Sequence, residues 1–207
     1  MRAAPIVLLV ALLSGCAGTA IVPAVSVDRQ TEHSIPGNYV ATIQTGNWAL
    51  RTRSKGAVCG EWSFDADLDG PYEAAMRDAL EHTLESVTFA PDILSQEQLR
   101  TGGYDAQLVI RQGKATSSFS GSEYILVRTV RSNVALAASV AIRAGNSTHQ
   151  TSASGSGIGK KDVVLCGAIG DAIGAAAHDA IRRTIEDVLG QVRDGLENRI
   201  GAANSSH

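Results

Sequence analysis

The 207-residue chain has little cysteine and little net charge, and each shortage excludes a class of protein. Its three cysteines form no Cys-x-x-Cys pair, which argues against a thiol oxidoreductase. The formal net charge is −3, so the chain lacks the surplus of lysine and arginine with which general nucleic-acid binders neutralise phosphates. We therefore expect no nucleic-acid partner.

Sequence patterns for catalysis and cofactor binding are missing as well. No Gly-x-Ser-x-Gly or Ser-x-x-Lys pattern marks a nucleophilic serine, and no His-Glu-x-x-His pattern marks a zinc hydrolase. The glycines within residues 167–174 lack the spacing of a phosphate loop, so close packing against the sheet is the favoured interpretation. We predict a protein that is not an enzyme, with no catalytic residue, metal or cofactor. A hydrolase whose site assembles only in the fold is the weaker alternative.

Long apolar runs are absent except at the amino terminus. Eleven of the first fifteen residues are apolar and none is acidic, with Arg2 preceding the apolar stretch from Ala3 to Leu13. At about 1.5 Å per residue, this stretch spans only about half of a hydrocarbon core of about 30 Å. It therefore predicts a cleaved signal peptide over residues 1–15 rather than a membrane-spanning helix.

The end of this segment, Leu13-Ser14-Gly15-Cys16, resembles the lipobox of bacterial lipoproteins. The resemblance implies that the Cys16 thiol is lipidated and that acyl chains such as palmitate anchor the mature chain in a membrane. In enterobacterial lipoproteins, an aspartate after the cysteine causes retention in the inner membrane, whereas Ala17 follows here. The resemblance therefore implies the periplasmic side of the outer membrane. An ordinary signal peptide with an incidental cysteine is the alternative.

Two cysteines remain once Cys16 is assigned to lipid. Cys59 and Cys166 form an even pair in a compartment that permits oxidation. A disulfide between them would close a loop of more than a hundred residues and stabilise the fold by about 4–5 kcal/mol. We favour this disulfide, with two buried thiols as the alternative.

Hydrophobic periodicity predicts an α+β fold. Alternation with a period of two predicts several strands, one of them within residues 104–119, and Gly145-Asn146 predicts a hairpin turn. Apolar residues at helical spacing predict two helices. The first helix is capped by Asp69 or Gly70, has Pro71 in its first turn and carries an apolar stripe from Tyr72 to Val87, and the second spans about residues 165–200. The order β-β-α-β-β-β-α predicts a mainly antiparallel sheet with two helices on one face. This architecture resembles that of small outer-membrane accessory lipoproteins.

Composition divides the chain into four segments. The stretch before the first alternating strand is small, polar and interrupted by Pro23 and Pro36, which is typical of a tether. The predicted organisation is a signal peptide (1–15), a lipid-anchored flexible tether (16–38), a single periplasmic α+β domain (39–202) and a disordered tail (203–207).

One row of cations is a candidate binding site. Arg51, Arg53 and Lys55 alternate, so an extended segment would place all three on one side, where they could contact lipid phosphates or anionic glycans. The alternative is a solvent-exposed row that protects an edge strand.

The nearby sequence from Asp65 to Gly70 begins like a calcium loop, but Met76 occupies the position of its bidentate glutamate. A strand with exposed acids is therefore favoured over a calcium site.

The strong anchor and the missing catalytic patterns together predict an accessory or scaffold protein of cell-envelope biogenesis, assembly or export. Its expected partners are the membrane, through Cys16, and an envelope protein or a second copy of the chain. A module that binds lipid or polysaccharide is the alternative function.

Overall fold

The structure is a computed structural model that describes residues 17–27, 34–46, 48–53, 63–124, 127–163 and 168–204. It confirms the predicted α+β class, with mainly strands and helices packed against them. In chain order, the elements are β1 (Ala17–Thr19), β2 (Ile35–Gln44), β3 (Ala49–Arg53), β4 (Ser63–Asp67), α1 (Asp69–Thr83), β5 (Leu84–Phe89), α2 (Gln96–Thr101), β6 (Ala106–Tyr124), β7 (Val127–Ala144), β8 (Ser147–Val163) and α3 (Ile169–Asn204).

The strands form two sheets rather than one. The larger has the order β5-β2-β6-β7-β8, in which β2 is parallel to β5 and β6, while β7 is antiparallel to both β6 and β8. The smaller has the order β1-β4-β3. The predicted hairpin at Gly145-Asn146 is confirmed, since these two residues join β7 to β8 and Gly145 has a φ of 51°. Long β6–β8 strands thus form the platform for the remaining elements.

The long helix α3 lies close against β8 because glycines face it. Along β8, exposed residues alternate with buried Gly155, Gly157 and Gly159. A Cβ on Gly157 would lie 2.6 Å from the backbone nitrogen of Ala180 and closer still to the carbonyl oxygen of Ala176. Only glycine permits this approach of strand and helix backbones. None of the described helices combines the length and the apolar character needed to cross a membrane.

The glycines at the start of α3 approach β1 of the small sheet and the chain that follows it. A Cβ on Gly174 would meet the carbonyl oxygen of Ile21, and one on Gly170 would lie 3.3 Å from that of Thr19. The close packing expected of these glycines is therefore present, and at Gly170 its partner is a sheet strand. Gly167 lies outside the described residues.

Part of the segment predicted to be a flexible tether is packed on the domain. β1 pairs in parallel with β4, and Ala20 after it is only 4% exposed. Val22, Val25 and Val27 pack partly buried against the core. The second half of the predicted tether contains the start of β2, at Ile35. Strand pairing and apolar contacts thus hold much of this segment against the domain.

Helix α1 ends earlier than its apolar stripe predicts. The stripe extends to Val87, but the helix ends at Thr83, and Leu84 is already extended with ψ 144°. Val87 and Glu85 belong to β5, which is paired with β2. The run from Thr83 contains several β-branched residues, which suit a strand once a partner strand is available. The helix begins at Asp69, with Leu68 rather than Asp69 or Gly70 at its N-cap position.

Residues 90–105 cover one face of the large sheet, near the start of β6 and the end of β7. This polar stretch contains the short helix α2, which starts with a capping box between Ser95 and Gln98. Beneath it, fully buried Gln107 accepts hydrogen bonds from Arg143 Nη1 at 2.8 Å and from the backbone of Leu94 at 3.2 Å. Its amide nitrogen donates to Thr42 Oγ1 at 3.0 Å. These bonds fasten the polar stretch to the sheet.

Candidate anion-binding cleft

The arginines of β3 lie on its exposed face, as the alternation predicts. Leu50 and Thr52 are 6% and 4% exposed, whereas Arg51 and Arg53 are in the exposed class. β3 forms an edge of the small sheet, since β4 is the only one of the described strands that pairs with it. The third predicted cation, Lys55, lies outside the described residues. The structure therefore places two members of the predicted row side by side.

A cleft of about 440 Å³ lies between β3 and β6. Its size falls within the range of about 300–1,000 Å³ that is typical of small-molecule sites. We call it the β3–β6 cleft, and its lining residues are Arg51, Thr52, Arg53, Ser117, Ser118 and Phe119. Two arginines, three hydroxyl-bearing residues and one phenylalanine thus line one space, and none of these residues is acidic.

The cleft is closed at its base by contacts between the two strands. Thr52 Oγ1 and Ser117 Oγ form a hydrogen bond, although the strands themselves do not pair. Phe119 packs edge-on against Phe64 of β4, with ring centroids 6.3 Å apart and an interplanar angle of 83°. Because each hydroxyl in such a pair can be donor or acceptor, one O–H of the two is not used in this hydrogen bond.

Arg51 is held in place by a carboxylate. Its Nε and Nη2 donate to the two oxygens of Asp65 at 2.9 and 3.3 Å, which is a bidentate arrangement. The side chains are 64% and 52% exposed, so the pair contributes little to stability. Its consequence is geometric, because the guanidinium is held at Asp65 of the neighbouring strand β4.

Arg53 differs from Arg51 in its partners. Across the strand pair it faces Ser63, and within the described part of the chain no carboxylate lies at ion-pair distance from it. Its positive charge is therefore less compensated than that of Arg51. A bound anion would gain most from Arg53.

The acids that begin like a calcium loop are engaged by the chain itself. Besides the ion pair of Asp65, Asp67 Oδ1 accepts the backbone N–H of Asp69 at 3.0 Å. Asp69 Oδ1 in turn accepts the backbone N–H of Trp48 at 3.2 Å. The strand with exposed acids is confirmed as β4, where Asp65 and Asp67 alternate with buried Phe64 and Ala66. These carboxylates hold the β3–β4–α1 junction together.

The histidines of the domain are spread over separate elements. His82 on α1 has its Nδ1 2.6 Å from the Asp78 carbonyl oxygen, and His178 on α3 lies 3.9 Å from Asp179. Among the described residues, no three His, Cys, Asp or Glu side chains are grouped so that they could hold a metal ion. Cys16, Cys59 and Cys166 all lie outside the described residues, so the predicted lipidation and disulfide stay predictions.

Three lining residues of the cleft, Ser117, Ser118 and Phe119, were not singled out by the sequence. Their strand was predicted, and its alternation places Ser117 and Phe119 on one face. The sequence does not show which element packs against that face. β3 precedes β6 by more than fifty residues, and side-chain contacts rather than strand pairing join them.

No protein-family model matches the chain, and no curated protein matches it in sequence. Some solved structures resemble it at low identity. A neuraminyllactose-binding hemagglutinin homologue from Helicobacter pylori is 10% identical over 88% of this chain and all of the other, with a TM-score of 0.43. The PelC dodecamer of Paraburkholderia phytofirmans is 10% identical over 81% of this chain and 94% of the other, with a TM-score of 0.31. A lipoprotein of Neisseria meningitidis is 13% identical over 81% and 99%, with a TM-score of 0.30. TM-scores this low assign this chain neither a family nor an activity.

Proposed function

We propose that this chain is a non-enzymatic lipoprotein, anchored through Cys16 on the periplasmic side of the outer membrane. In this role it acts as an accessory or scaffold in cell-envelope biogenesis, assembly or export. The main support is the sequence Leu13-Ser14-Gly15-Cys16, which resembles a lipobox. Ala17, the residue after the lipobox cysteine, already pairs with Ser63 of β4. A lipid on Cys16 would thus hold the small sheet directly at the membrane surface.

The anchor is tested by replacing Cys16 with serine in the full-length chain expressed in its bacterial host. We expect the variant to lose incorporation of labelled palmitate and to leave the membrane fraction, because the thiol is the acylated group. Cys59→Ser is the matched control and should remain lipidated. Continued acylation of the Cys16→Ser chain would contradict the anchor.

A separate experiment tests whether the chain is in the outer or the inner membrane. Ala17→Asp introduces the aspartate that retains enterobacterial lipoproteins in the inner membrane, and Ala17→Ser changes the same position without a charge. On a sucrose density gradient, the wild type and the serine variant should follow the outer membrane, and the aspartate variant the inner membrane. An unmodified chain that follows the inner membrane would refute the proposed location.

The accessory role requires a partner. Cross-linking in intact cells should join the chain to a second copy or to another envelope protein, in a complex that survives purification in detergent. A lipidated chain that stays monomeric and uncross-linked at its natural abundance, or that turns over a hydrolase substrate, would contradict this role.

A second candidate function is binding of lipid or polysaccharide. The observation that favours it is the β3–β6 cleft, which is lined by Arg51 and Arg53 on one side and by Ser117 and Ser118 on the other. An accessory protein can carry such a site, so the two candidates are compatible.

A further inference from the structure

The register of the small sheet puts the anchor and one arginine at the same end. Ala17 and Arg53 both pair with Ser63, from opposite sides of β4. Neighbouring strands lie about 4.8 Å apart, so the backbones of Ala17 and Arg53 are separated by about 10 Å. Cys16 directly precedes Ala17. A lipid on Cys16 would therefore extend from the domain at a point close to Arg53.

The direction of β1 orders the two arginines relative to the membrane. β1 and β4 run in parallel, from Ala17 and Ser63 towards Thr19 and Asp65. Arg51 pairs with Asp65, whereas Arg53 pairs with Ser63. Arg53 is therefore the arginine nearer to the anchored end.

Contacts also link the anchor strand to the base of the cleft. Gly18 lies against the ring of Phe64, since a Cβ there would be 2.7 Å from one of the ring carbons. Phe64 in turn packs edge-on against Phe119, which lines the β3–β6 cleft. β1, the buried ring and the cleft thus form one packed unit, so the cleft is held in a fixed relation to the first described residue after Cys16.

The lining of the cleft suits a phosphate group. A guanidinium donates through a planar fork that matches two phosphate oxygens, and serine hydroxyls donate to a third. The Phe119 ring offers an apolar wall, which a free inorganic ion would not use but a glycerol backbone or acyl chain would. Arg53 supplies the less compensated charge, while the bound carboxylate of Asp65 partly offsets that of Arg51.

We infer that the β3–β6 cleft binds the phosphate of an anionic phospholipid headgroup in the same membrane that holds the Cys16 anchor. This inference rests on the lipid anchor proposed above. The lipid on Cys16 supplies persistent attachment, and the headgroup in the cleft sets the orientation of the domain on the membrane. Because the anchored chain is confined to the surface, a weak headgroup site is filled at the high local lipid concentration.

The test uses the lipidated chain purified in an uncharged detergent. Native mass spectrometry counts lipids bound to the chain while phosphatidylglycerol or, separately, phosphatidylcholine is added to the micelles. We expect phosphatidylglycerol to bind about tenfold more tightly than the zwitterionic lipid, and this preference to fall as the ammonium acetate concentration rises. A tenfold excess of inorganic phosphate should not displace the lipid, because phosphate lacks the contacts to Phe119.

Variants assign the binding to individual side chains. Arg53→Ala should weaken phosphatidylglycerol binding about tenfold, as expected for loss of a charge-assisted hydrogen bond. Asp65→Asn should strengthen binding, because it removes the carboxylate that competes for Arg51. The matched control is Arg183→Ala, which removes an exposed arginine from α3 and should leave binding unchanged. A purely structural role of the β3–β4 ion pair would weaken binding in the Asp65→Asn chain.

Three results would overturn the inference. Equal binding of the two lipids would show that charge is not recognised, and equal weakening by Arg53→Ala and Arg183→Ala would place the effect outside the cleft. Displacement of the lipid by inorganic phosphate would make the ligand a free anion. If the tested chain is acylated at Cys16, any of these results overturns the headgroup site but not the anchor. If the chain is never acylated, the proposed function itself is refuted.

Discussion

Gly157→Ala tests whether α3 and β8 are in backbone contact. The new methyl group would lie 2.6 Å from the nitrogen of Ala180 and 2.8 Å from the Cβ of Asp179, with the Ala176 carbonyl oxygen nearer still. Real Cβ atoms almost never approach other heavy atoms within 3.0 Å. The neighbours belong to the helix itself, so no flexible side-chain end can move away. The helix and the strand must separate.

The cost of this separation follows from overpacking of a dense interior. Such insertions typically destabilise a fold by about 1–3 kcal/mol, and rigid backbone neighbours favour the upper half of that range. Replacing glycine by alanine in a strand otherwise stabilises the fold by about 0.5–1 kcal/mol, because alanine loses less backbone entropy on folding. We expect a net loss of about 2 kcal/mol in the free energy of unfolding. For a domain of this size, the melting temperature should fall by about 4–8 °C.

Gly190→Ala is the matched control in the same helix–strand pair. Gly190 lies within α3, is exposed, and a Cβ there would meet no atom within 4 Å. Alanine should therefore stabilise the helix by about 1 kcal/mol through its higher propensity. Both variants are compared with the wild type by urea and thermal denaturation, followed by far-ultraviolet circular dichroism.

The two substitutions must have opposite signs. If Gly157→Ala is neutral or stabilising while the urea m-value stays constant, α3 does not contact β8 through its backbone. Destabilisation by both variants would refute the assignment of Gly190 to an open position.

Other predictions concern buried polar groups. The Tyr72 hydroxyl is buried and has no hydrogen-bond partner among the described residues, so Tyr72→Phe should leave stability unchanged or raise it by up to about 1 kcal/mol, measured by urea denaturation at pH 7. Burial raises the pKa of Tyr72, so above pH 10 the unfolded chain loses this proton first and wild-type stability declines. Tyr72→Phe should reduce that decline between pH 9 and 11, and an unchanged slope would contradict it. Gln107→Leu removes one of the two acceptors of Arg143 Nη1, the other being the Leu94 carbonyl oxygen, and should cost about 1–3 kcal/mol. Limited proteolysis should then cleave residues 90–95 faster, and an unchanged cleavage rate would contradict their attachment through Gln107.

Local patterns in the sequence were sufficient for several elements. Alternation around Arg51 and Arg53 identified an exposed face, because successive side chains of a strand point to opposite sides. Gly145-Asn146 identified the β7–β8 turn, since a tight turn needs a residue that tolerates a positive φ. Pro71 correctly indicated a helix start within two residues. These features depend on neighbours in the chain, so no distant contact was required to predict them.

Other features depend on contacts between distant residues. Near its end, the apolar stripe from Tyr72 to Val87 is compatible with either a helix or a strand. Pairing with β2 makes the residues after Thr83 extended. The capping box at Ser95 and Gln98 was present in the sequence, yet the short α2 was not predicted from it. Helices this short gain their stability mainly from tertiary packing, here the burial of Leu99.

By itself, the sequence determined the predicted anchor at Cys16, the α+β class and the exposed arginine row, because each depends on a contiguous motif or on periodicity. The tertiary structure alone decided that β6 completes a cleft beside Arg53 and that Ala17 lies across Ser63 from it. The physical reason is that strand register and sheet-to-sheet packing join residues far apart in the chain. Such contacts leave no period in the sequence and arise only when the core is packed.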